Sequence, residues 1–375
     1  MEWAQVSQRI WDMKYRFRDA TGQADADLDA TWWRVARALA APERDPGRWA
    51  ERFHEALSGF KFLPAGRVIA GAGTGRTVTL FNCFVMGAIP DDMSGIFENL
   101  REAGKPAAYV DTGVWSQKAI AESQGLGETL TVASSAATNY DRIPAFPDAA
   151  SYAHASYLHI TTNNTIFGTE YAEIPQAEGG VPLVIDFSSH AGSRPMALER
   201  AAFGYAGAQK NLGPSGVTLV YIRKDLLAKK PAAHVPVILR YATHAKEPSL
   251  YNTPNTFGVL VLKLVLEWMR DAGGLPAIAA VNERKASKLY AALDASQVFR
   301  AHAQPGSRSR MNITFRLPSP ELEEAFVKQA KTAGMDGLKG YRTVGGIRAS
   351  VYNAFPMSGA QHLAEFMAEF ARKNG

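Results

Sequence analysis

Apolar positions along the chain fall into two textures. Over residues 1–60 they keep helical company: Trp32, Trp33, Val35, Ala36, Ala38 and Leu39 share one apolar-rich run, and Trp49, Phe53 and Leu57 follow four apart. That spacing keeps side chains on one helix face. Pro42, Pro46 and Gly47 punctuate the stretch between the two runs. The aromatics here are most simply core residues. Residues 61–103 change character, with FLPAGRVIAGAGTGRTVTLFNCFVMGAIP short, apolar, glycine-rich and β-branched in places. This predicts a loop, a strand near 78–86 and a helix near 93–102.

From residue 104 the pattern alternates between strand and helix. AAYVDTG predicts a short strand ending in a turn, and SQKAIAESQG a helix closed by Gly125. ETLTVASSA and SYLHITTNN predict strands, and VPLVIDFSS (181–189) a buried strand with an aspartate inside its end. FGYAGAQKNLGPSGVTLVYIRKDLL predicts strand, loop, strand and the start of a helix. Residues 258–272 predict a long apolar helix that Gly273-Gly274 ends. The remainder predicts helix, strand (RMNITFRL), helix, strand (IRASVYNA) and helix, a separate and smaller α/β domain. Strands separated by helical crossovers argue for a mostly parallel sheet covered on both faces. No internal repeat is present.

Composition narrows the function classes. With 46% apolar and 21% charged residues, the chain has the make-up of a globular protein and is not a disordered scaffold. No stretch approaches the uninterrupted apolar length of a membrane span. The N-terminus is charged from its second residue and has no apolar signal region, so the expected location is the cytoplasm. Cys83 is the single cysteine, which excludes an internal disulfide or a zinc site built on several thiolates, and no metal is expected. The net charge is +5. Residues 1–103 carry 13 basic and 14 acidic side chains and the remainder 28 and 22, so the excess is C-terminal. A site for an anionic small molecule is compatible with that excess. Nucleic acid is not indicated, because no Lys/Arg run or aromatic-basic interleaving occurs.

The chemistry concentrates between residues 109 and 253. Lys210 lies in a glycine-rich loop between two predicted strands, and Asp186 ends a buried strand 24 residues earlier. A carboxylate in that setting is costly without a cationic partner. A pyridinium nitrogen is such a partner, so this spacing fits a pyridoxal phosphate site. There lysine forms the covalent link and aspartate keeps the ring nitrogen protonated. Trp115, following another strand end, offers a flat side chain for stacking.

Residues from about 104 to 375 resemble phosphoserine aminotransferase, a fold type I pyridoxal phosphate family. The resemblance is carried by YVDTGVW, NNTIFGTE, IDFSSHAGSRP, YAGAQKNLGPSG, YNTPNTF, SRMNITF and LKGYRTVGGIRASVYNAFP. It implies a large cofactor domain over 104–272, incomplete at its start, and a small C-terminal domain over 273–375. It also implies that Lys210 is the Schiff-base lysine, Asp186 the partner of the ring nitrogen and Trp115 the stacking residue. Thr165 is then a cofactor contact, and Gln209 a phosphate contact. Asn252 and Thr253 reach the phosphate of a neighbouring subunit, making the family a homodimer with shared sites. Arg348 binds the substrate α-carboxylate, and Arg342 helps hold a phosphate or side-chain carboxylate, groups that suit bidentate guanidinium bonds. The implied reaction is a ping-pong transfer of an amino group from glutamate to 3-phosphohydroxypyruvate. The family also acts on a phosphorylated hydroxythreonine precursor of pyridoxine.

Two departures accompany the resemblance. Tyr341 stands where the family often has histidine. Upstream, neither the family's substrate-binding arginine segment nor its glycine-rich phosphate turn is recognisable. Instead, residues 1 to about 103 resemble the N-terminal part of an adenosylcobalamin-dependent ribonucleotide reductase, through WDMKYRF, FKFLPAGRVIAGAGT, VTLFNCFVMG and GIFENLREA. That family's chemistry needs three cysteines, and Cys83 is alone. The phosphate cradle is not expected to be replaced by GAGTG (71–75), because the residues after it are β-like. Beside the aminotransferase reading stand two others: a non-catalytic fusion or truncation product that binds the cofactor weakly, and a nucleotide-binding reductase fragment.

Overall fold

The computed structural model describes residues 5–19, 21–64, 66–75, 100, 104–231, 235–342 and 344–375. The strand expected near 78–86 lies outside these residues, as do Cys83 and all but Leu100 of the helix expected near 93–102. The chain forms two compact units, 1–91 and 92–375.

The first unit is helical: α1 (Gln5–Lys14), α2 (Leu28–Ala40), α3 (Pro46–Leu57) and α4 (Gly66–Gly71). Asp27 caps α2 by accepting from the Ala30 N–H at 2.8 Å, and Asp45 caps α3 by accepting from Arg48 at 3.2 Å. Pro46 therefore begins a helix at the position where its missing N–H costs nothing. Trp32, Val35, Ala36, Leu57, Ile69 and Ala72 form the core. Arg34 is partly buried beside them, bonded to Asp25 at 3.0 Å and to the carbonyls of Ile69 and Ala72 at 3.1 and 2.5 Å. Those two carbonyls belong to α4 and the residue after it, where the sequence pattern predicts a loop. Burial of Ile69 and the arginine's grip make that short glycine-rich stretch helical.

The second unit is an α/β structure with a six-stranded sheet. In chain order its strands are β1 (Ala107–Asp111), β2 (Thr129–Ser134), β3 (Leu158–Thr161), β6 (Leu183–Asp186), β7 (Phe203–Gly207) and β8 (Thr218–Ile222). Their order across the sheet is β2-β1-β3-β6-β7-β8, and only the β7–β8 pairing is antiparallel. Alternate residues feed two apolar clusters. Tyr109, Val184 and Tyr205 face one, while Val110, Ile160 and Ile185 face the other. Both faces are thus apolar, as a buried parallel sheet requires. The edge strand β8 differs, with Leu219 44% and Val220 38% exposed.

Several boundaries depart from the pattern. The helix α5 (Val114–Leu126) runs through Gly125 and ends at Gly127, whose φ is +150°. The stretch predicted as one strand over SYLHITTNN breaks after Thr161. The chain then enters a small hairpin, β4 (Asn163–Asn164) with β5 (Thr169–Glu170). Asn163 leaves the sheet because its side chain is engaged by Ser189, Ser309 and Asn312. After β8 come α6 (Lys224–Leu227), α7 (Tyr241–Lys246) and the long α8 (Thr256–Asp271). Gly273, at φ +99°, separates α8 from α9 (Gly274–Asp294).

The C-terminal part builds a three-stranded antiparallel sheet from β9 (Arg300–Ala301), β10 (Asn312–Arg316) and β11 (Ile347–Ser350). Helices α9, α10 (Pro320–Thr332) and α11 (Met357–Asn374) supply the rest of its core. The predicted strand IRASVYNA is regular only to Ser350, because Val351–Phe355 bends to meet α9. Phe326 is fully buried and lies 5.1–5.8 Å, centroid to centroid, from Phe299, Phe315 and Phe370 in edge-to-face contacts. Phe326→Ala leaves a cavity there and should cost about 3–5 kcal/mol, read as a lowered urea midpoint. An unchanged midpoint contradicts this packing.

Candidate active site

A parallel sheet points all its carboxyl ends the same way, and crevices there are where such folds bind ligands. Asp111 ends β1 and Asp186 ends β6, and Lys210 stands on the turn that follows β7. Trp115 lies in the first turn of α5, and Thr165 in the β4–β5 hairpin loop. Five polar or aromatic side chains are therefore brought to one edge by topology alone.

The turn carrying Lys210 is closed by a bond from the Leu212 N–H to the Ala208 carbonyl at 3.0 Å. Asp186 Oδ1 accepts from the Ser188 N–H at 3.0 Å and the Ser188 hydroxyl at 2.6 Å. Among the described residues no donor reaches Oδ2. Burial pushes the Asp186 carboxyl above the usual range, against the pull of Ser188 and of the Lys210 charge. Lys210 is shifted the other way. Burial and then the Arg348 charge lower its ammonium, and Asp186 opposes them. The pair is close enough to interact electrostatically without an ion pair of hydrogen-bonding length.

Trp115 Nε1–H donates to Thr165 Oγ1 at 2.9 Å, which fixes the indole. Arg348 crosses from β11 of the second sheet and donates through Nη1 to the Thr165 carbonyl at 3.3 Å. Its Nε–H is buried with no hydrogen-bond partner among the described residues. The structure thus brings together Lys210, Asp186, Trp115, Thr165 and Arg348. It offers a base or nucleophile, an unmatched anion, a flat ring and a guanidinium with a free donor.

Other residues of sequence interest stand elsewhere. Gln209 adjoins Lys210 and is exposed. Asn252 and Thr253 are exposed in the loop between α7 and α8, with no hydrogen bond to this group among the described residues. Arg342 is also exposed. It lines a groove of about 870 Å³ with Glu324, Lys328 and Lys331 of α10. Gly345 and Gly346, at φ +75° and +72°, turn the chain between the two arginines, so Arg348 points to Thr165 and Arg342 does not. Tyr341 does reach the site's edge, packing on the Tyr140–Ile166–Phe167 cluster that Trp115 also touches.

The pattern of residues left two parts of the site unseen. Asp111 is buried and accepts from the Gly113 N–H (3.1 Å) and from the hydroxyls of Ser116 (3.0 Å), Ser134 (3.1 Å) and Tyr140 (2.9 Å). Burial, and then Asp111 itself, push the Tyr140 hydroxyl up to about 12. This carboxylate anchors the turn that presents Trp115. The signal that exposes Asp186, an aspartate ending an apolar strand, is equally present in YVD. The second part is a cavity of about 340 Å³ beside Lys210, lined by Asn211, Val261, Leu264, Trp268 and Tyr352. No cluster of three or more histidine, cysteine, aspartate or glutamate side chains suited to a metal occurs among the described residues. Nor is any helix among them long and apolar enough to cross a membrane.

The fold is that of a class-V aminotransferase: the family model described as aminotransferase class-V matches residues 93–363. A phosphoserine aminotransferase from Herpetosiphon aurantiacus is 47% identical over 82% of this chain and 84% of its own length. The solved phosphoserine aminotransferase of Bacillus circulans subsp. alkalophilus superposes with a TM-score of 0.71 at 45% identity, covering 76% of this chain and 80% of that one. A PLP-bound phosphoserine aminotransferase from Trichomonas vaginalis does so with 0.68 at 33% identity, covering 74% and 78%. The chain belongs to the phosphoserine aminotransferase family. Residues 3–77 match a second model, described as the ribonucleotide reductase all-alpha domain.

Asp186 gives a pH-dependent prediction. Its carboxyl is raised in the fold, so ionisation is harder there than in the unfolded chain. The stability it contributes is present at low pH and is lost as pH rises through its folded value. In the cofactor-free chain Asp186→Asn should be more stable than wild type at neutral pH, by about 1 kcal/mol, the scale of an imperfectly matched buried polar group. The gap should close as pH falls toward the carboxylate range. Thermal unfolding across pH measures it, and a variant less stable than wild type at every pH refutes it.

Proposed function

We propose that this chain is a pyridoxal 5'-phosphate-dependent enzyme transferring an amino group between glutamate and 3-phosphohydroxypyruvate. The observation that carries this is the Asp186–Lys210 pair on adjacent strand ends, each without an ion-pair partner of hydrogen-bonding length among the described residues. Among the described residues Asp186 Oδ2 has no donor, and burial holds Lys210 toward its neutral form. A ring with a protonated nitrogen satisfies the first, and an aldehyde carbon the second. When bound, the cofactor supplies that aldehyde and a ring able to take up the electron pair released at the substrate's Cα.

The protein's own residues then divide the work. Lys210 is the nucleophile that holds the cofactor and afterwards carries the proton between the substrate Cα and the cofactor carbon. Asp186 holds the proton on the ring nitrogen. Trp115, locked by Thr165, covers one ring face. The free Nε–H of Arg348 and its neighbouring Nη group provide a two-pronged site for the substrate α-carboxylate. Gln209 serves the cofactor phosphate, and Asn252 and Thr253 do so for a neighbouring copy. Arg342 serves the substrate's distal anionic group.

A homodimer belongs to this reading. Phe257 is 75%, Leu264 54% and Trp268 43% exposed along α8, and Leu219 of β8 is also open to solvent. A contiguous apolar face of this kind marks an interaction surface. Asn252 and Thr253 immediately precede α8, so a second copy on this face is reached by both. Size-exclusion chromatography with light scattering should give a discrete dimer, and a monodisperse monomer at micromolar concentration removes the shared-site part of the proposal.

The central test is chemical trapping. Borohydride reduction of the chain mixed with pyridoxal phosphate should give one adduct per chain on Lys210 by peptide mass spectrometry. Lys210→Ala should abolish both adduct and glutamate-dependent turnover. Labelling scattered over surface lysines, or turnover surviving in Lys210→Ala, overturns the assignment.

A further inference from the structure

Lys285, in the middle of α9, is completely buried. Its ammonium lies 3.0 Å from the carbonyl oxygen of Val351, 2.7 Å from that of Tyr352, 3.4 Å from that of Asn353 and 3.0 Å from that of Phe355. An ammonium has three N–H bonds, so four acceptors fill it completely. Among the described residues no carboxylate pairs with it. Burial pushes it down to about 8, which leaves it mostly charged at neutral pH. A charge in this position costs stability unless the surrounding dipoles are arranged for it. The chain has arranged them, by turning one irregular segment around a single atom.

That segment is where the second sheet meets the Lys210 turn. It continues directly from β11, which carries Arg348. The Asn353 N–H donates to Asn211 Oδ1 at 3.0 Å, and Asn353 Nδ2 to the Gly192 carbonyl at 2.9 Å. Asn282, one turn before Lys285 on α9, donates to Asn353 Oδ1 at 2.8 Å and to the Ser193 carbonyl at 2.9 Å. Asn211 is the residue after Lys210 in the closed turn Ala208–Leu212. Tyr352 and Ala354 line the cavity beside Lys210. The contacts form one path from Lys285 through Val351–Phe355 and Asn211 to Lys210.

We infer that Lys285 is a positioning residue for the chemistry at Lys210. Its ammonium fixes the 351–355 turn, and that turn, through the Asn353 N–H and the Asn211 side chain, sets where the Lys210 amine stands relative to Asp186 and Arg348. Lys285 touches neither substrate nor cofactor. The catalytic half of this inference rests on the function proposed above, whereas the geometric half does not.

The test uses the full-length chain without cofactor. Acetic anhydride acylates each lysine according to its basicity and access, and peptide mass spectrometry reads Lys210 against exposed Lys331. Lys285→Met keeps the side-chain length and removes the ammonium. Asn211→Ala keeps Lys285 and cuts the link. Each should change the relative acylation rate of Lys210 by about 3- to 10-fold, and the double variant should do no more than the larger single effect, as for residues acting in one path. Borohydride-trapped pyridoxal phosphate on Lys210 should fall in both variants. An unchanged Lys210 rate in Asn211→Ala overturns the inference even if Lys285→Met fails to fold, and so do effects that multiply in the double variant. If acylation responds as expected while wild type traps no pyridoxal phosphate, the link stands and the functional reading has failed.

Discussion

An anion at the end of a strand buried on both faces needs positive charge, and Asp186 receives too little of it from the protein. Ser188 supplies two hydrogen bonds to one oxygen. Lys210 supplies a charge that burial and Arg348 weaken. Most of the second unit can be understood from this deficit. The parallel sheet creates it by carrying the carboxylate to the crevice edge, and Trp115 and Thr165 frame the space beside it. The site is therefore preorganised at a cost to the stability of the fold, as functional sites commonly are.

The framing depends on the second sheet as much as on the first. The β4–β5 hairpin holding Thr165 is gripped from outside. Asn163 bonds to Ser309 and Asn312, and Thr314 donates to the Phe167 carbonyl at 2.7 Å. Glu170, buried at the hairpin's end, bonds to Arg194 at 3.3 Å and Arg310 at 3.2 Å. Burial raises its carboxyl, and the Arg310 N–H and the two guanidinium charges oppose that. Removing either arginine would leave a poorly matched buried charge, so the hairpin is held by bonds that are costly to break singly. Arg348 enters over this hairpin, and Gly168, at φ +72°, lets the backbone pass close to Thr314.

Much of this was legible in the residues. Short apolar runs bounded by turn residues located β1, β3, β6, β7 and β10, and a long apolar-rich stretch ended by Gly273-Gly274 located α8, because local sequence dictates those elements. Asp186 and Lys210 were legible because a charge in a buried strand and a lysine in a glycine-rich loop are conspicuous. Trp115 was legible as a flat side chain after a strand end, whereas Thr165 and Arg348 were assigned by family resemblance, since nothing in spacing alone joins residues so far apart in the chain. Lys285 was not legible. It sits in a helix among other lysines, and only the bend of a segment more than sixty residues later makes it the centre of four carbonyls. The same limit applies to Asn211 and Asn353, ordinary loop polars until the two sheets meet. Helix α4 failed for a related reason, because its support comes from Arg34.

The divergence of Arg342 and Arg348 bears on how the site is completed. Both lie on the loop and strand that the sequence marks with glycines and arginines, yet only one faces Thr165. A phosphorylated three-carbon acid carries two anionic groups, and one guanidinium cannot hold both in a bidentate manner. Arg348 therefore leaves the second group to another cation, the role proposed above for Arg342. The exposed apolar face of α8, with the exposed Asn252 and Thr253 shortly before it, is the surface on which the proposed second copy would sit. An Arg342 that is solvent-exposed in one chain is then consistent with a site whose anion-binding half is assembled from two.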